Sequence, residues 1–412
     1  LHACKQTSSQ AYIKGTGRTH PCSHPCSLYL RLVKGESCGG RGRMLKMVFC
    51  RNAYSFTTLV LVLIFSMTWG TVKGERSGGF IRSEEEVKWL FEEWQVKHDK
   101  SYQDLGEKQK RLEIFKNNLQ YIDEKNRPEH NHSFTVGLNN LADLTNEEYQ
   151  SFYLSPPMNM SELSRNFIPD LDLPSEADQV VHEYRVDWRE DGAVTPVKDQ
   201  GRCKLGWDFA AVATVEAINA LVTGDLISLS VQEIVDCGGY GCRPTVMTVA
   251  YDYIERNKGI DTDANYPYTA EKGSCREKKN QVVTIDGHAY GRRNDEMALA
   301  NLVALHPVAS AVDANTTDFQ LYTGGIFTGK CKFEQQNQPV AIVGYGEDYK
   351  AHEDYWIIKN SYGQGWGEGG YMKLQRNVQS HLGKCGIALL PIYPTKSGYN
   401  IFSTNEGKKY ML

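Results

Sequence analysis

Six cysteines that all follow residue 200 constrain the fold of this chain more than any other sequence feature. An even number of cysteines behind a secretion signal predicts a disulfide framework, here of three bridges. Six cysteines allow 15 pairings, and the sequence alone does not choose among them. The six are Cys203, Cys237, Cys242, Cys275, Cys331 and Cys385.

A secretion signal is predicted from the first methionines onward. Met44 and Met47 are followed by basic Arg51 and then by an apolar run from Phe56 to Trp69. This is the layout of a signal peptide, and the run is shorter than the ~20 residues that a membrane-spanning helix needs. No comparable run follows in the sequence, so we expect no membrane anchor.

The charge balance argues against a nucleic-acid partner. The 46 lysines and arginines are matched by 50 aspartates and glutamates, which gives a formal net charge of −4 over 412 residues. Proteins that bind nucleic acids usually carry a basic excess. We therefore expect no nucleic-acid partner. Because of the predicted signal peptide and the lack of a later apolar run, we expect a secreted or lumenal protein. We also expect it to be a monomer.

Three acceptor patterns for N-glycosylation support entry into the secretory pathway. They begin at Asn131, Asn159 and Asn315. We expect the final location to be a vacuole- or lysosome-like compartment or the extracellular space, and the sequence does not choose between them.

The order of patterns along the chain predicts its domains. Apolar residues at helical spacing between Glu84 and Asn126 predict two amphipathic helices with a break between Asp99 and Gly106. A proline-rich stretch without periodicity then predicts an exposed linker. The expected segments are an untranslated or artefactual leader upstream of the first methionine (residues 1–43), a signal peptide (44–74), a helical prodomain (75–153), the linker (154–180), a disulfide-bearing body (181–396) and a C-terminal tail (397–412).

The body divides into a helical half and a strand-rich half, which predicts an α+β fold with two lobes. Helical spacing is found first, and short apolar runs bounded by Gly, Asn and Asp follow after residue 280. Helices are predicted at residues 206–225, 229–235 and 245–254, and strands at 282–285, 308–312, 339–343, 355–358 and 370–374.

Several motifs together resemble the papain-like cysteine proteases, from about Glu84 to Pro394. One is a spaced set that is similar to the prodomain helix motif of these zymogens. Others are similar to the mature N-terminus and to the region around the family's asparagine. The motif residues are Glu107, Arg111, Phe115, Asn118, Ile122 and Asn126; Asp187-Trp188-Arg189; and Asn360-Ser361 with Gly365-Trp366-Gly367.

The resemblance implies a papain-like fold with an α-rich left lobe and a β-barrel-like right lobe, preceded by a helical inhibitory prodomain. It also implies the pairs Cys203–Cys242, Cys237–Cys275 and Cys331–Cys385. No cofactor and no metal site is implied. His288 is expected at the surface or in a turn, as are His306, His352 and His381.

The catalytic positions of the family depart from its pattern in this chain. The resemblance places Gly206 where the nucleophilic cysteine stands and Gln338 where the basic histidine stands. It also places Gln200 at the oxyanion position and Asn360 at the position that orients the histidine. Glycine has no nucleophile, and a glutamine amide does not titrate near neutral pH. Asp208, in the first turn of the same predicted helix, is expected to interact favourably with the helix dipole.

The substrate cleft is expected to be altered as well. Arg243, Pro244 and Thr245 replace the family's Asn-Gly-Gly, which removes a backbone donor and adds a branched side chain. Tyr362 replaces the tryptophan that usually follows the asparagine. Trp207 and Trp366 are the remaining cleft residues that the resemblance implies.

These departures lead to the expectation that the chain is not an enzyme. The predicted function is that of a catalytically inactive papain-like homologue with a binding, storage or defence role. Its partners would be its own prodomain and a peptide or protein ligand in the cleft. The alternative is a cysteine endopeptidase with weak residual activity.

Overall fold

The computed structural model describes residues 82–157, 184–243, 248–277, 280–333, 335–398 and 400. They belong to the compact unit formed by residues 76–412. The predicted leader and signal peptide lie outside the described residues, as do most of the linker and most of the tail. None of the helices in this described part of the chain is long and apolar enough to cross a membrane.

The prodomain begins with two helices at the predicted places, α1 (Glu84–Lys97) and α2 (Leu105–Lys125). Ser83 and Asp104 cap their N-termini by accepting hydrogen bonds from backbone amides of the first turns, as short polar residues do. Trp94 of α1 and Phe115 of α2 pack against each other with ring centroids 5.4 Å apart. This aromatic contact holds the two helices together at their crossing.

A third prodomain helix, α3 (Asn146–Tyr153), begins with a capping box between Thr145 and Glu148. Glu148 also accepts a hydrogen bond from buried Arg111 of α2 at 2.6 Å. The chain leaves α3 in extended conformation at Leu154. Leu154 and Ser155 are buried, so the predicted exposed linker begins two residues later than the sequence indicated.

The helical lobe of the body consists of α4 (Gly206–Thr223), α5 (Val231–Cys237) and α6 (Val249–Arg256). Most residues of α4 are buried. The helix carries apolar side chains of its own on most of its faces, which is typical of a helix in the core. Two disulfides, Cys203–Cys242 and Cys237–Cys275, staple the loops of this lobe. The third, Cys331–Cys385, lies in the other lobe.

The sheet lobe contains the strands that follow residue 280, together with α7 (Glu296–Leu305) and the short α8 (Thr317–Gln320). Among the described residues the strands are β1 (Phe134–Val136), β2 (Val186–Asp187), β3 (Gly287–Tyr290), β4 (Val308–Val312), β5 (Tyr322–Phe327), β6 (Gln338–Asp348), β7 (Glu353–Lys359), β8 (Tyr371–Gln375) and β9 (Ile392–Thr395). Their order is β1-β5-β8-β7-β6-β4-β9-β3, and β2 pairs with β6. The architecture is α+β, and this prediction is confirmed.

The prodomain contributes a strand to this sheet. Strand β1 pairs antiparallel with β5 over three residue pairs. Ser133, just before β1, donates a hydrogen bond from its hydroxyl to the carbonyl of Ile326 at 2.9 Å. Tyr121 and Lys125 of α2 both contact the carboxylate of Asp318, at 2.5 and 2.8 Å. The prodomain is therefore joined to the sheet lobe by backbone pairing and by charge.

A buried charge cluster joins α4 to β7 beneath the cleft between the two lobes. Glu216 of α4 binds Lys198 at 2.9 Å and accepts a hydrogen bond from Thr195, which in turn accepts one from Lys359 of β7 at 2.9 Å. Burial lowers the pKa of Lys359 to about 8, although Glu216 opposes the shift. Breaking one partner of such a buried network is costly, so the cluster fixes α4 relative to the sheet.

Candidate functional site

Helix α4 points its N-terminus into the cleft, and its first residue is Gly206. The preceding residue, Leu205, makes no side-chain cap. The positive end of the helix dipole and the first backbone amides therefore lie at the cleft. Gly206 is fully enclosed, because a Cβ atom placed there would lie 2.6 Å from Cδ and 3.1 Å from Cγ of Pro339. A proline ring is rigid, so it leaves no room for a side chain at position 206.

Gln338, the first residue of β6, lies next to Gly206 on the other side of the cleft. Its Nε2 atom is 3.4 Å from the same hypothetical Cβ. It donates a hydrogen bond to Oδ1 of Asn360 at 2.9 Å. Asn360 Oδ1 also accepts from the backbone amide of Ser361 at 2.9 Å. The asparagine is thereby fixed with its oxygen toward residue 338.

Gln200 completes this polar group from the helical side. The Ser361 hydroxyl donates to Oε1 of Gln200 at 2.6 Å, and the two backbones pair through the Gln200 amide at 2.8 Å. Its side-chain nitrogen, Nε2, donates to the carbonyl oxygen of Tyr153 at 2.9 Å. Gln200 is fully buried. Its side-chain Nε2 therefore has a hydrogen-bond acceptor that belongs to the prodomain.

The prodomain segment after α3 lies in the cleft as an extended chain. Besides the Tyr153 carbonyl, the backbone amide of Ser155 donates to the carbonyl of Asn337 at 3.0 Å. The Tyr153 ring packs edge-on against Tyr362 with centroids 5.0 Å apart. Tyr149 of α3 adds a second edge contact and a 3.2 Å hydroxyl pair with Tyr362. Backbone pairing and aromatic contacts together keep the cleft covered.

The structure places the two tryptophans in the cores instead of leaving them exposed along the cleft. Trp207 is buried with the apolar residues of the helical lobe. Trp366 is fully buried behind Tyr362, at 5.5 Å between centroids, and its Nε1 donates to the carbonyls of Phe319 and Gln320.

The other residues that were predicted for the cleft or for glycosylation lie at the margins of the cleft or outside the described residues. Arg243 is exposed and donates from Nε to the carbonyl of Tyr240 at 3.1 Å. Pro244, Thr245 and Asn159 lie outside the described residues. Asn131 is exposed in a left-handed turn, whereas Asn315 is partly buried and donates from Nδ2 to Asp313 at 2.7 Å.

Asp208 differs from its expected role. It lies in the first turn of α4 but is 2 % exposed, and its Oδ1 atom has no hydrogen-bond partner. Burial raises the pKa of Asp208 to about 7. The cost of desolvating the carboxylate therefore exceeds the benefit of the helix dipole.

Two contacts of the site were missed at the level of sequence. Pro339 directly follows the predicted base position, Gln338, so the sequence did show a proline there. Its contact with Gly206 joins residues that are far apart in the sequence, and local patterns do not show such contacts. Ser361 connects Gln200 with the Asn360 loop through its hydroxyl. Its membership of the Asn360-Ser361 motif was the only signal for this contact.

The chain matches two protein-family profiles over most of the described residues. The papain family cysteine protease profile matches residues 183–395, and the cathepsin propeptide inhibitor domain (I29) profile matches residues 91–149. A probable cysteine protease, RDL2, from Arabidopsis thaliana is 47% identical over 77% of this chain and 88% of its own length. Vignain from Phaseolus vulgaris is 41% identical over 82% of this chain and 94% of its own.

Solved structures of precursors share the fold. The recombinant stem bromelain precursor is 38% identical, with a TM-score of 0.69 over 76% of this chain and all of its own. The proform of the ragweed pollen allergen Amb a 11, a cysteine protease, is 35% identical, with a TM-score of 0.70 over 77% of this chain and 96% of its own. The papain-like fold with its prodomain is confirmed.

These findings correct one prediction. The expectation that the chain is not an enzyme is contradicted, because relatives that are 40–47% identical over most of the chain are named cysteine proteases and point to an enzyme. The plant relatives and the three disulfides also fit a secretory or vacuolar route.

Proposed function

We propose that this chain, which belongs to the papain family of cysteine proteases, binds an extended polypeptide segment in the cleft between its two lobes once its prodomain has left. The observation that carries this proposal is the backbone pairing of the prodomain in the cleft. Gln200 binds the carbonyl of Tyr153, and Asn337 binds the amide of Ser155. A peptide or protein ligand offers the same donors and acceptors.

Departure of the prodomain leaves polar groups that need new partners. The Gln200 side-chain amide and the Asn337 carbonyl lose their partners, the Tyr153 carbonyl and the Ser155 amide, and would bind water until another chain replaces them. The Tyr362 ring loses its contacts with Tyr153 and Tyr149 at the same time. An extended segment with an apolar or aromatic side chain near its bound carbonyl would satisfy all three groups.

We further propose that Gly206 and Gln338 occupy the positions of the family's cysteine and histidine. Support comes from the helix N-terminus at Gly206 and from the hydrogen bond between Gln338 and Asn360. Hydrolysis is the second candidate function, favoured by the names of the relatives. Because glycine has no thiol and glutamine does not titrate, hydrolysis by this chain would not use a cysteine–histidine pair at these two positions.

The remaining expectations complete the proposal. The prodomain would be removed by another protease in the exposed part of the proline-rich linker (156–180), leaving a monomeric body that begins near residue 181. Of the two glycosylation acceptors among the described residues, Asn131 is the better placed, because it is exposed in a turn whereas Asn315 is partly buried. The mature protein would reside in a vacuole or outside the cell.

The first prediction concerns binding of a labelled peptide. The linker is given a cleavage site for a specific protease, the prodomain is separated, and a fluorescent peptide with the sequence of residues 150–157 is titrated by anisotropy. Gln200→Ala should weaken binding about tenfold, because one buried hydrogen bond is lost. Gln375→Ala, a partly buried glutamine at the far end of β8, should bind like the unsubstituted protein.

Equal affinity of the Gln200→Ala and unsubstituted proteins would contradict the proposal. Equal weakening by Gln375→Ala would do the same, since the effect would then be unspecific.

A further inference from the structure

Three metal-ligating side chains meet on the body, in a cluster that the cleft does not use. Asp252 and Glu255 lie three residues apart on α6, so they share one face of that helix. His288 lies on β3. One ligand atom from each residue lies within 4.8 Å of the other two. Nδ1 of His288 and Oδ1 of Asp252 are 3.7 Å apart.

The His288 ring is held in place, but its Nδ1 atom has no partner. The ring stacks on Tyr251 with centroids 5.6 Å apart and meets Tyr290 edge-on at 5.9 Å. Nδ1 is shielded from solvent and makes no hydrogen bond. The 3.7 Å to Asp252 is too long for one. His288 is thus a partly exposed residue of strand β3 whose ring is packed and whose Nδ1 makes no hydrogen bond.

The surroundings leave the carboxylates available. Arg256, the neighbouring cation on α6, donates from Nε to the backbone carbonyl of Asp252 and not to its carboxylate in this contact. Glu255 is exposed, so its side chain is free to change rotamer. Residue 287, beside the cluster, is glycine, and a Cβ there would lie 3.9 Å from Glu255 Oε2.

We propose that Asp252, Glu255 and His288 form a binding site for a divalent transition-metal ion of the zinc type. Zinc binds imidazole nitrogen at about 2.0–2.1 Å and carboxylate oxygen at about 2.0–2.2 Å, usually with tetrahedral geometry. Two ligands of such an ion lie roughly 3.4 Å apart by that geometry. The 3.7 Å between His288 and Asp252 is close to this separation.

The proposed ion would neutralise the two carboxylates and fill the empty Nδ1. Glu255 would complete three protein ligands by a rotamer change, and a water molecule would take the fourth position. The site connects α6 of the helical lobe with β3 of the sheet lobe. An ion that binds only the folded protein stabilises the folded state by mass action. The bound ion would therefore cross-link α6 and β3.

The test uses the full chain, stripped with a chelator and treated with an alkylating agent that blocks free cysteines. Zinc is titrated against a chromogenic competitor, and the melting temperature is followed in parallel. Asp252→Asn keeps the shape of the side chain, and His288→Ala removes the nitrogen ligand. Each should weaken zinc binding at this site at least about tenfold and abolish the zinc-dependent rise in melting temperature.

The matched control is His381→Ala, which removes an exposed histidine outside the cluster. It should bind zinc like the unsubstituted chain. The proposal is overturned if zinc raises the melting temperature of Asp252→Asn as much as that of the unsubstituted chain. It is also overturned if His288→Ala and His381→Ala bind zinc equally well.

Discussion

Combining Gly206→Cys, Gln338→His and Pro339→Ala should raise alkylator-sensitive peptide hydrolysis of the processed protein by about 10³-fold or more. The helix N-terminus at residue 206 and a neighbouring imidazole would depress the pKa of the new thiol and make it nucleophilic. Asn360 already directs its oxygen toward residue 338. The measurement is kcat/KM for a fluorogenic peptide, with and without iodoacetamide.

Pro339 decides how much of this gain appears. A Cβ atom at position 206 would lie 2.6 Å from Cδ of Pro339, well inside ordinary contact distance. Replacing the ring by alanine removes both ring atoms that collide. The variant with Gly206→Cys and Gln338→His alone should therefore gain at least tenfold less, because misplaced reacting groups cost about that much or more.

The control carries Gly206→Ser with the other two substitutions and should show no alkylator-sensitive hydrolysis. If the triple variant failed to react with iodoacetamide at residue 206, the assignment of positions 206 and 338 would be wrong. If the double variant equalled the triple variant, the steric role of Pro339 would be refuted.

The second large effect concerns Asp208 and the pH dependence of stability. Its pKa is about 7 in the folded protein, against 3.8 ordinarily. The folded state thus retains a proton that the unfolded chain loses. The stabilisation is full below pH 3.8 and is lost as the pH rises through about 7. Between pH 4.5 and 7.5 the loss should be about 3 kcal/mol in the free energy of unfolding, at 1.36 kcal/mol per pH unit.

Asp208→Asn should remove this loss, because an amide has no proton to release. The free energy of unfolding is measured in urea at pH 4.5 and at pH 7.5 for the variant and the unsubstituted protein. The matched control is Asp225→Asn, an exposed aspartate just beyond the other end of α4, which should leave the pH dependence unchanged. An unchanged pH dependence in Asp208→Asn would show that its carboxyl is not desolvated.

Local patterns predicted five of the eight described α-helices, α1, α2, α4, α5 and α6, because the cause of each lies within its own residues, but they missed α3, α7 and α8. The break between α1 and α2 falls where Asp104 caps the second helix, and both facts are visible in the sequence. Strand β4 was likewise predicted at residues 308–312. Residues 282–285, in contrast, form only a single bridge between Val283 and Ile260. A short apolar run shows that a segment is buried, but it does not show which partner its backbone finds.

The contacts that shape the cleft were beyond local patterns, because they join distant residues. Strand β1 is only three residues long and exists because β5 pairs with it. Leu154 and Ser155 read as the start of a linker, yet they are buried because the cleft accepts the Ser155 amide. The family resemblance located Gln200, Gly206, Gln338 and Asn360. The packing of Pro339 on Gly206 required the structure.

The most direct test of peptide binding in the cleft compares one preparation before and after prodomain removal. The labelled peptide of residues 150–157 is added to the intact precursor and then to the same protein after the linker has been cut and the prodomain separated. We predict saturable binding with one peptide per chain after the prodomain is removed and no binding before. In the precursor the prodomain already occupies the hydrogen-bonding groups of Gln200 and Asn337. Equal binding by both forms, or none by either, would contradict the account.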